Sequence, residues 1–428
     1  MYFNRRNFLR SASILAACSL SEFDVTAAAL QAKTNGHKIS DEDEAYWNNV
    51  RQLFPLTKDK IYLNNGTLGP SPYPVIEAVR EGMMRTDEYG DYSGYEDSVD
   101  AIASFTGCDK NEIALTHNVT EGINIACWGV PLKRRDEVIV TDQEHVGNAL
   151  PWLNRQKLHG IVLKTFTPAP TAAETLERIA ALITKRTRVI AVPHIPCTQG
   201  QVLPVKEICK LARDRGIYSC IDGAHGPGMM PLDLHDMSCD TYASCCHKWM
   251  LGPKGTGFLY VRAEFGAVLQ PYFVGGGSSG GDWDMVLSPE YMPPYADSAH
   301  RYFGGTQSLG LARGVIASVD FLNNIGMDNV YSRIKYLGGY VQQELMSLGD
   351  KVELITPTEE QSYCAVNSFR MKNIPYNEFY KTCSDNGIRV RAVPENGINC
   401  IRISTHIYNN TQEIDKLVTL VRKAAVAG

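Results

Sequence analysis

The 428-residue sequence contains no fixed-period repeat, no long low-complexity tract and no basic block beyond its first few residues. The first absence excludes solenoids and propellers. The missing basic block, with a net charge of -5 from 42 basic and 47 acidic residues, argues against a nucleic-acid partner. No C-x-x-C pair occurs, and the 12 cysteines are scattered without the spacing of a disulfide framework. Cys245-Cys246-His247 are consecutive, and three neighbours rarely converge on one tetrahedral ion, so no metal is expected. No apolar run is long enough to serve as a permanent membrane span. Neither "VGGGSSGGDWD" nor "GPKGTG" fits a Walker A loop or a strand-to-helix G-x-G-x-x-G. What remains is ordinary for a soluble globular chain of two or three domains, with 44% hydrophobic and 21% charged residues.

The N-terminus is less ordinary. "NRRNFLRSASILAACSL" carries Arg5 and Arg6, then Phe8 and Leu9, then a short apolar stretch. Such a segment can begin a basic amphipathic helix. It also resembles a twin-arginine export signal, followed by small residues (Ala27, Ala28, Ala29) and a polar linker. The resemblance implies a signal and linker over residues 1–36, a twin-arginine translocase as partner and a periplasmic location. Leu15-Ala16-Ala17-Cys18 also looks like a lipoprotein cleavage box, which would anchor the protein by a lipid on Cys18.

Beyond the linker, short apolar runs alternate with stretches of helical periodicity. "EIALT", "DEVIVT", "IVLKTF", "RVIAVPHI", "YSCIDGA", "TYASCC" and "GTGFLYVR" read as strands. "TEGINIACWGV", "NALPWLNRQKLHG", "AAETLERIAALIT" and "VKEICKLARDRG" read as helices among them. Strands apolar on both faces, separated by helices, predict an α/β fold with a mainly parallel sheet covered by helices. "LGLARGVIASVDFLNNIG" predicts a long helix leading out of that domain, and the remainder reads as a smaller α+β domain. The expected division is an N-terminal segment (37–70) joining the small domain, a large domain (71–315) and a small C-terminal domain (316–428).

Asp222 follows the buried-strand run Ile217 to Ile221, and Lys248 follows the next apolar run, between His247 and Trp249. Ligands of open α/β sheets bind beyond the carboxyl ends of the strands. Taken alone, Asp222 is an ordinary turn residue, Asn118 and Thr120 an ordinary helix start and His145 an ordinary loop histidine. Together they form the set that pyridoxal phosphate requires. That set is an amine for the Schiff base, a carboxylate for the pyridine nitrogen, a flat ring to stack, and a helix N-terminus for the phosphate.

With "IDGAHGPGMMPLDL", "CHKWMLGPKGTGFLYVR" and "GGTQS", the chain from "YLNNGTLGPSP" to "IRISTHIYNN" resembles the class V, fold-type I pyridoxal-phosphate enzymes, near the isopenicillin N epimerase-like branch. The resemblance implies Lys248 as the Schiff-base lysine, Asp222 at the ring nitrogen, His145 on the ring face and His225 near the ring 3-oxygen. Val119, Thr120 and His247 would hold the phosphate. Thr306 would reach the phosphate of the partner subunit in a homodimer. Arg402 would grip the substrate α-carboxylate, with Arg391 and Asn65 as further substrate contacts. Three departures stand out. Cys245 replaces a frequent serine. Cys197 stands where desulfurases carry asparagine. Between Arg391 and Arg402 the only cysteine, Cys400, lies two residues before Arg402 on a strand-like run, which disfavours a mobile-cysteine desulfurase. The implied activity is an amino-acid transformation of the aminotransferase type, with epimerase or C–S lyase as alternatives. Exported class V enzymes that tailor the peptide siderophore pyoverdine carry similar signals, so a peptide-borne residue is a further candidate substrate. A non-catalytic protein that holds pyridoxal phosphate or a siderophore is the alternative outside enzymes.

Overall fold

The computed structural model describes residues 38–91, 93–280 and 293–427. The export-signal reading, Cys18 included, and part of the glycine-rich loop lie outside them. The strands are β1 (Ile61–Tyr62), β2 (Ile113–Thr116), β3 (Glu137–Thr141), β4 (Val162–Phe166), β5 (Thr187–Pro193), β6 (Tyr218–Asp222), β7 (Thr241–Cys245), β8 (Gly257–Val261), β9 (Val352–Leu354), β10 (Val366–Met371), β11 (Ile388–Arg389), β12 (Arg391–Val393) and β13 (Cys400–Ser404). Helices α1 (Glu44–Arg51), α2 (Tyr73–Tyr89), α3 (Asp97–Thr106), α4 (Val119–Gly129), α5 (Val146–His159), α6 (Ala172–Leu182), α7 (Val205–Asp214) and α8 (Leu234–Met237) precede or punctuate the large sheet. Helices α9 (Leu309–Ile325), α10 (Met327–Met346), α11 (Tyr376–Asp385) and α12 (Thr411–Ala427) follow it.

Seven strands form the central sheet in the order β2-β8-β7-β6-β5-β3-β4, and only β8 runs against its neighbours. The side-chain period of two explains why its strands read as continuous apolar runs. Val138, Val140, Val189, Ala191, Cys220, Ala243 and Leu259 meet α4 and Trp152 of α5 on one face. Ile139, Ile190, Val192, Ile221, Tyr242, Phe258 and Tyr260 enter the other core, with α7 and α9. Burying one such aliphatic side chain contributes about 1.5–3 kcal/mol. The sheet cysteines act as small hydrophobes, and the 11 cysteines of the described residues are all free thiols.

The small domain has a four-stranded antiparallel sheet, β12-β13-β10-β9, packed on α10, α11 and α12. β1 pairs in parallel with β11, and Asn64 bridges to Ser404, so the segment before α2 is tied to this domain. Three helices escape the sequence reading. "DSVDAIASFT" forms α3 with no capping side chain to mark its start, α8 is only four residues long, and α11 interrupts the run of small-domain strands.

Candidate active site

Lys248 sits in the connection between β7 and β8 (residues 246–256), and three successive backbone carbonyls there are anchored. The His247 oxygen accepts from the Gly69 N–H at 2.9 Å, the Lys248 oxygen from Asn65 Nδ2 at 3.4 Å, and the Trp249 oxygen from His406 Nε2 at 3.0 Å. The Trp249 ring is fully buried and donates from Nε1 to His225 Nδ1 at 3.0 Å. Its neighbours thus hold the lysine backbone still, while no carboxylate among the described residues pairs with its ammonium. Gly69 is obligatory here, since a Cβ would overlap the Lys248 carbonyl.

The remaining groups arrive from neighbouring strand ends. Asp222 closes β6, buried between Pro193 of β5 and Ala243 of β7. Its Oδ1 accepts from the Ala224 N–H at 2.9 Å. Burial raises its pKa, while that bond and the Lys248 ammonium oppose the shift. His145 caps α5, and its Nδ1 accepts the Gly147 N–H at 3.0 Å, which leaves the proton on Nε2. Desolvation on its inner side, then repulsion from Lys248, lower its pKa, although the ring stays open to solvent on its outer side. His225 is buried, and burial with repulsion from Lys248 keeps it neutral, so Nδ1 accepts from Trp249 while Nε2 has no partner. Asn118 caps α4 through Glu121 N, leaving the Val119 and Thr120 N–H groups open at the positive end of the helix. His247, with its buried Nδ1 also unpartnered, lies by that end.

Asn118, Val119, Thr120, His145, Asp222, His247 and Lys248 wall a cavity of about 380 Å³ together with Gly66, Thr67, Cys197, Cys245, Arg391 and Arg402, and His225 is not among the wall residues. A larger hollow of about 1020 Å³ lies by the junction of α9 and α10 but contains none of the strand-end groups. Arg402 is 1% exposed, yet every partner it has is neutral. Nη1 donates to the Cys197 carbonyl at 2.9 Å, and Nη2 to Asn64 Oδ1 at 3.1 Å and Thr67 Oγ1 at 2.8 Å, while Nε has no partner. Burial, then repulsion from Arg391, lowers its pKa to about 10. A buried guanidinium without a counter-ion is costly, and the cavity is where an anionic group of a ligand would relieve it.

Besides His225, two expectations need restating. Asn65 is not part of the cavity wall. It is fully buried, accepts from the Tyr408 hydroxyl at 2.9 Å and braces the lysine backbone, so its role is positional. Thr306 is exposed ahead of α9 and lines no part of the cavity of its own chain. Asn64 and Thr67, overlooked in the sequence, hold Arg402 instead, and "NNGT" was the available signal. Gly66 lets them approach, since a Cβ there would meet His225 and Arg402 at 3.1 and 3.3 Å. Among the described residues, the one Asp/Glu/His/Cys group close enough to share an ion, Asp109, Glu112 and His235, lies elsewhere.

The donors and acceptors fit pyridoxal phosphate. Within the cavity, the amine of Lys248, the buried carboxylate of Asp222, and His247 with the open turn of α4 are of the kinds that its aldehyde, ring nitrogen and phosphate call for. The aminotransferase class-V family model matches residues 79–417. A probable cysteine desulfurase of Methanothermobacter thermautotrophicus is 29% identical, over 89% of this chain and 98% of its own. The isopenicillin N epimerase of Amycolatopsis lactamdurans is 27% identical, over 88% and 98%. A lysine-to-alanine mutant of C-DES with glycine covalently linked to its pyridoxal-phosphate cofactor superposes with a TM-score of 0.78 at 25% identity, over 87% of this chain and 98% of that one. The chain belongs to the class V aminotransferase family and is a fold-type I, pyridoxal-phosphate-dependent enzyme.

Proposed function

We propose that this enzyme is exported and transforms an amino acid, or an amino-acid residue carried on a peptide, by aminotransferase-like chemistry of the kind used in siderophore tailoring. The observation that carries the amino-acid reading is Arg402, a buried guanidinium with neutral partners alone, in the same cavity as the Lys248 amine. A planar fork of this kind matches a carboxylate bidentately. The resemblance of "NRRNFLRSASILAACSL" to a twin-arginine signal supports export to the periplasm.

When bound, pyridoxal phosphate supplies an aldehyde for amine exchange and a ring that withdraws electrons from the substrate Cα. The protein residues do the rest. Asp222 would hold a proton on the ring nitrogen, because a cation opposite it would restore its ionised form. His145, a neutral imidazole oriented by the Gly147 N–H, would be the residue to stack on the ring. His225 Nε2 would donate to the ring oxygen, the positive end of α4 would offset the phosphate charge and His247 would hydrogen-bond to it. Arg402 fixes the carboxylate, and Lys248 Nζ takes the Cα proton and returns it.

The short turn between β12 and β13 favours a second reading, a C–S lyase, over a mobile-cysteine desulfurase. Cys400 is buried in β13, and burial raises its thiol to about 11. Epimerisation is the remaining outcome of the same proton removal. A homodimer is part of the proposal, with Thr306 serving the partner's site. Exposed Val146, Leu150, Tyr272 and Phe273 support self-association. The test is incubation of the loaded protein with amino acids and ferribactin-type peptides, followed by product mass and chirality. Replacement of the amine by a carbonyl supports the proposal. A D-epimer or a β-fragment with ammonia supports the alternatives. A bound ligand with no turnover would make it a binding protein.

A further inference from the structure

Arg391 stands directly across from Arg402 in the antiparallel β12–β13 pairing, and both wall the cavity. Opposed residues of such a ladder share a face, with Cβ atoms about 4.5–5.5 Å apart. Two guanidinium groups this close repel each other. Glu395 offsets the repulsion, its Oε1 pairing with Arg391 Nη2 across the turn that joins the strands. The side chains of Arg391 and Glu395 are 22% and 20% exposed. Each keeps one atom that is cut off from solvent and has no partner, Arg391 Nη1 and Glu395 Oε2. Arg391 lines the cavity and Glu395 does not, so the small-domain wall carries one uncompensated guanidinium, Arg402, and beside it an arginine whose charge Glu395 balances from outside the wall.

We infer that Glu395 is a specificity-determining residue that selects amino acids whose side chain ends in a neutral amide, and rejects those that end in a carboxylate. The inference rests on the amino-acid reading above and names the substrate class it leaves open. With the α-carboxylate on Arg402, a side-chain carboxamide or peptide amide offers its carbonyl oxygen to the Arg391 guanidinium, whose charge Glu395 already balances. A distal carboxylate would add a second negative charge to an arginine that Glu395 already neutralises, and like charges placed together disfavour binding. Without Glu395, Arg391 would be a second free guanidinium and the pocket would prefer dicarboxylic amino acids.

The test measures dissociation constants from the visible absorbance of the cofactor-loaded protein, for glutamine against glutamate, asparagine against aspartate, and alanine as a reference. The wild-type protein should favour an amide over its acid by tenfold or more in at least one pair. Glu395→Gln should reverse the order, with the acid gaining at least tenfold relative to alanine and the amide losing severalfold relative to alanine. Equal wild-type affinities within both pairs, read without any substitution, overturn the inference while leaving the amino-acid reading intact. So does a Glu395→Gln variant that binds alanine normally and keeps the wild-type ratios, because Glu395 is then only a structural partner of Arg391 and water satisfies the open atoms. If no amino acid perturbs the spectrum, the amino-acid reading fails and this inference falls with it.

Discussion

Replacing Arg402 by lysine keeps the charge and removes the planar fork. In the native protein the guanidinium is spread over three acceptors, the Cys197 carbonyl, Asn64 Oδ1 and Thr67 Oγ1, at 2.8–3.1 Å. Those bonds fix its plane before substrate arrives, so little order is lost on binding. A lysine ammonium reaches fewer of these acceptors and offers a carboxylate a point charge instead of two parallel N–H groups. Because the positive charge stays, the fold and the attachment of the cofactor to Lys248 should survive. Substrate capture should weaken by about 2–4 kcal/mol, the scale for disturbing one partner of a buried charge pair. That is roughly 30- to 700-fold in Kd at about 1.4 kcal/mol per decade. The assay is titration of the visible cofactor band with substrate, alongside circular dichroism to confirm the fold. An Arg402→Lys protein with native affinity and turnover would refute the reasoning. The carboxylate would then be held elsewhere, with Arg391 the first residue to examine.

Other outcomes follow from the same geometry. Borohydride reduction and peptide mapping should place the cofactor on Lys248, and a label on Lys254 would sink the assignment. Gly69→Ala should displace the Lys248 carbonyl and lower cofactor affinity at least tenfold, measured by equilibrium dialysis; unchanged affinity would mean that the loop relaxes freely. His194, His225 and His406 are buried, and burial holds their pKa values below the ordinary 6.5, to about 4 for His194 and His406. The unfolded chain therefore binds protons that the folded chain does not. Stability should be full above about pH 6.5 and should fall as pH drops toward 4, by up to about 1.4 kcal/mol per pH unit for each group. A urea midpoint that is flat between pH 7 and 5 would contradict this. Changing both Arg5 and Arg6 to lysine should retain the protein in the cytoplasm, and unchanged fractionation would remove the export proposal.

Much of the fold was legible because the period of the apolar residues carries it. The seven strands of the central sheet are buried on both faces and stand out as short apolar runs between helical stretches. "YSCID" and "TYASCC" could therefore be placed within a residue of β6 and β7, with Asp222 and Lys248 near their ends. Helix starts were legible where a cap marked them, as at Asn118. Helix α3 was not, because no capping side chain marks its start and its apolar residues are mostly small and mixed with Asp and Ser. The motif around Lys248 identified a lysine of unusual setting. It did not reveal that Gly69, Asn65 and His406 hold three consecutive carbonyls beside it, since those contacts join residues far apart in the chain.

The sequence by itself determined the sheet, its mainly parallel sense and the chemical inventory of the site, because strand period and residue type are local properties. The tertiary structure decided how that inventory is used. Asn65 looked like a substrate contact and turned out to be a brace, because the chain turns its amide toward Tyr408 and the Lys248 carbonyl. Asn64 and Thr67, unremarkable in the sequence, became the partners of Arg402 when the N-terminal segment crossed to the small domain. The pairing of Arg391 with Glu395, and its position beside Arg402, depends on the register of β12 against β13. A shift of one residue in that register would turn one arginine out of the cavity. Which charges face the substrate is therefore set by long-range packing, which no local pattern encodes.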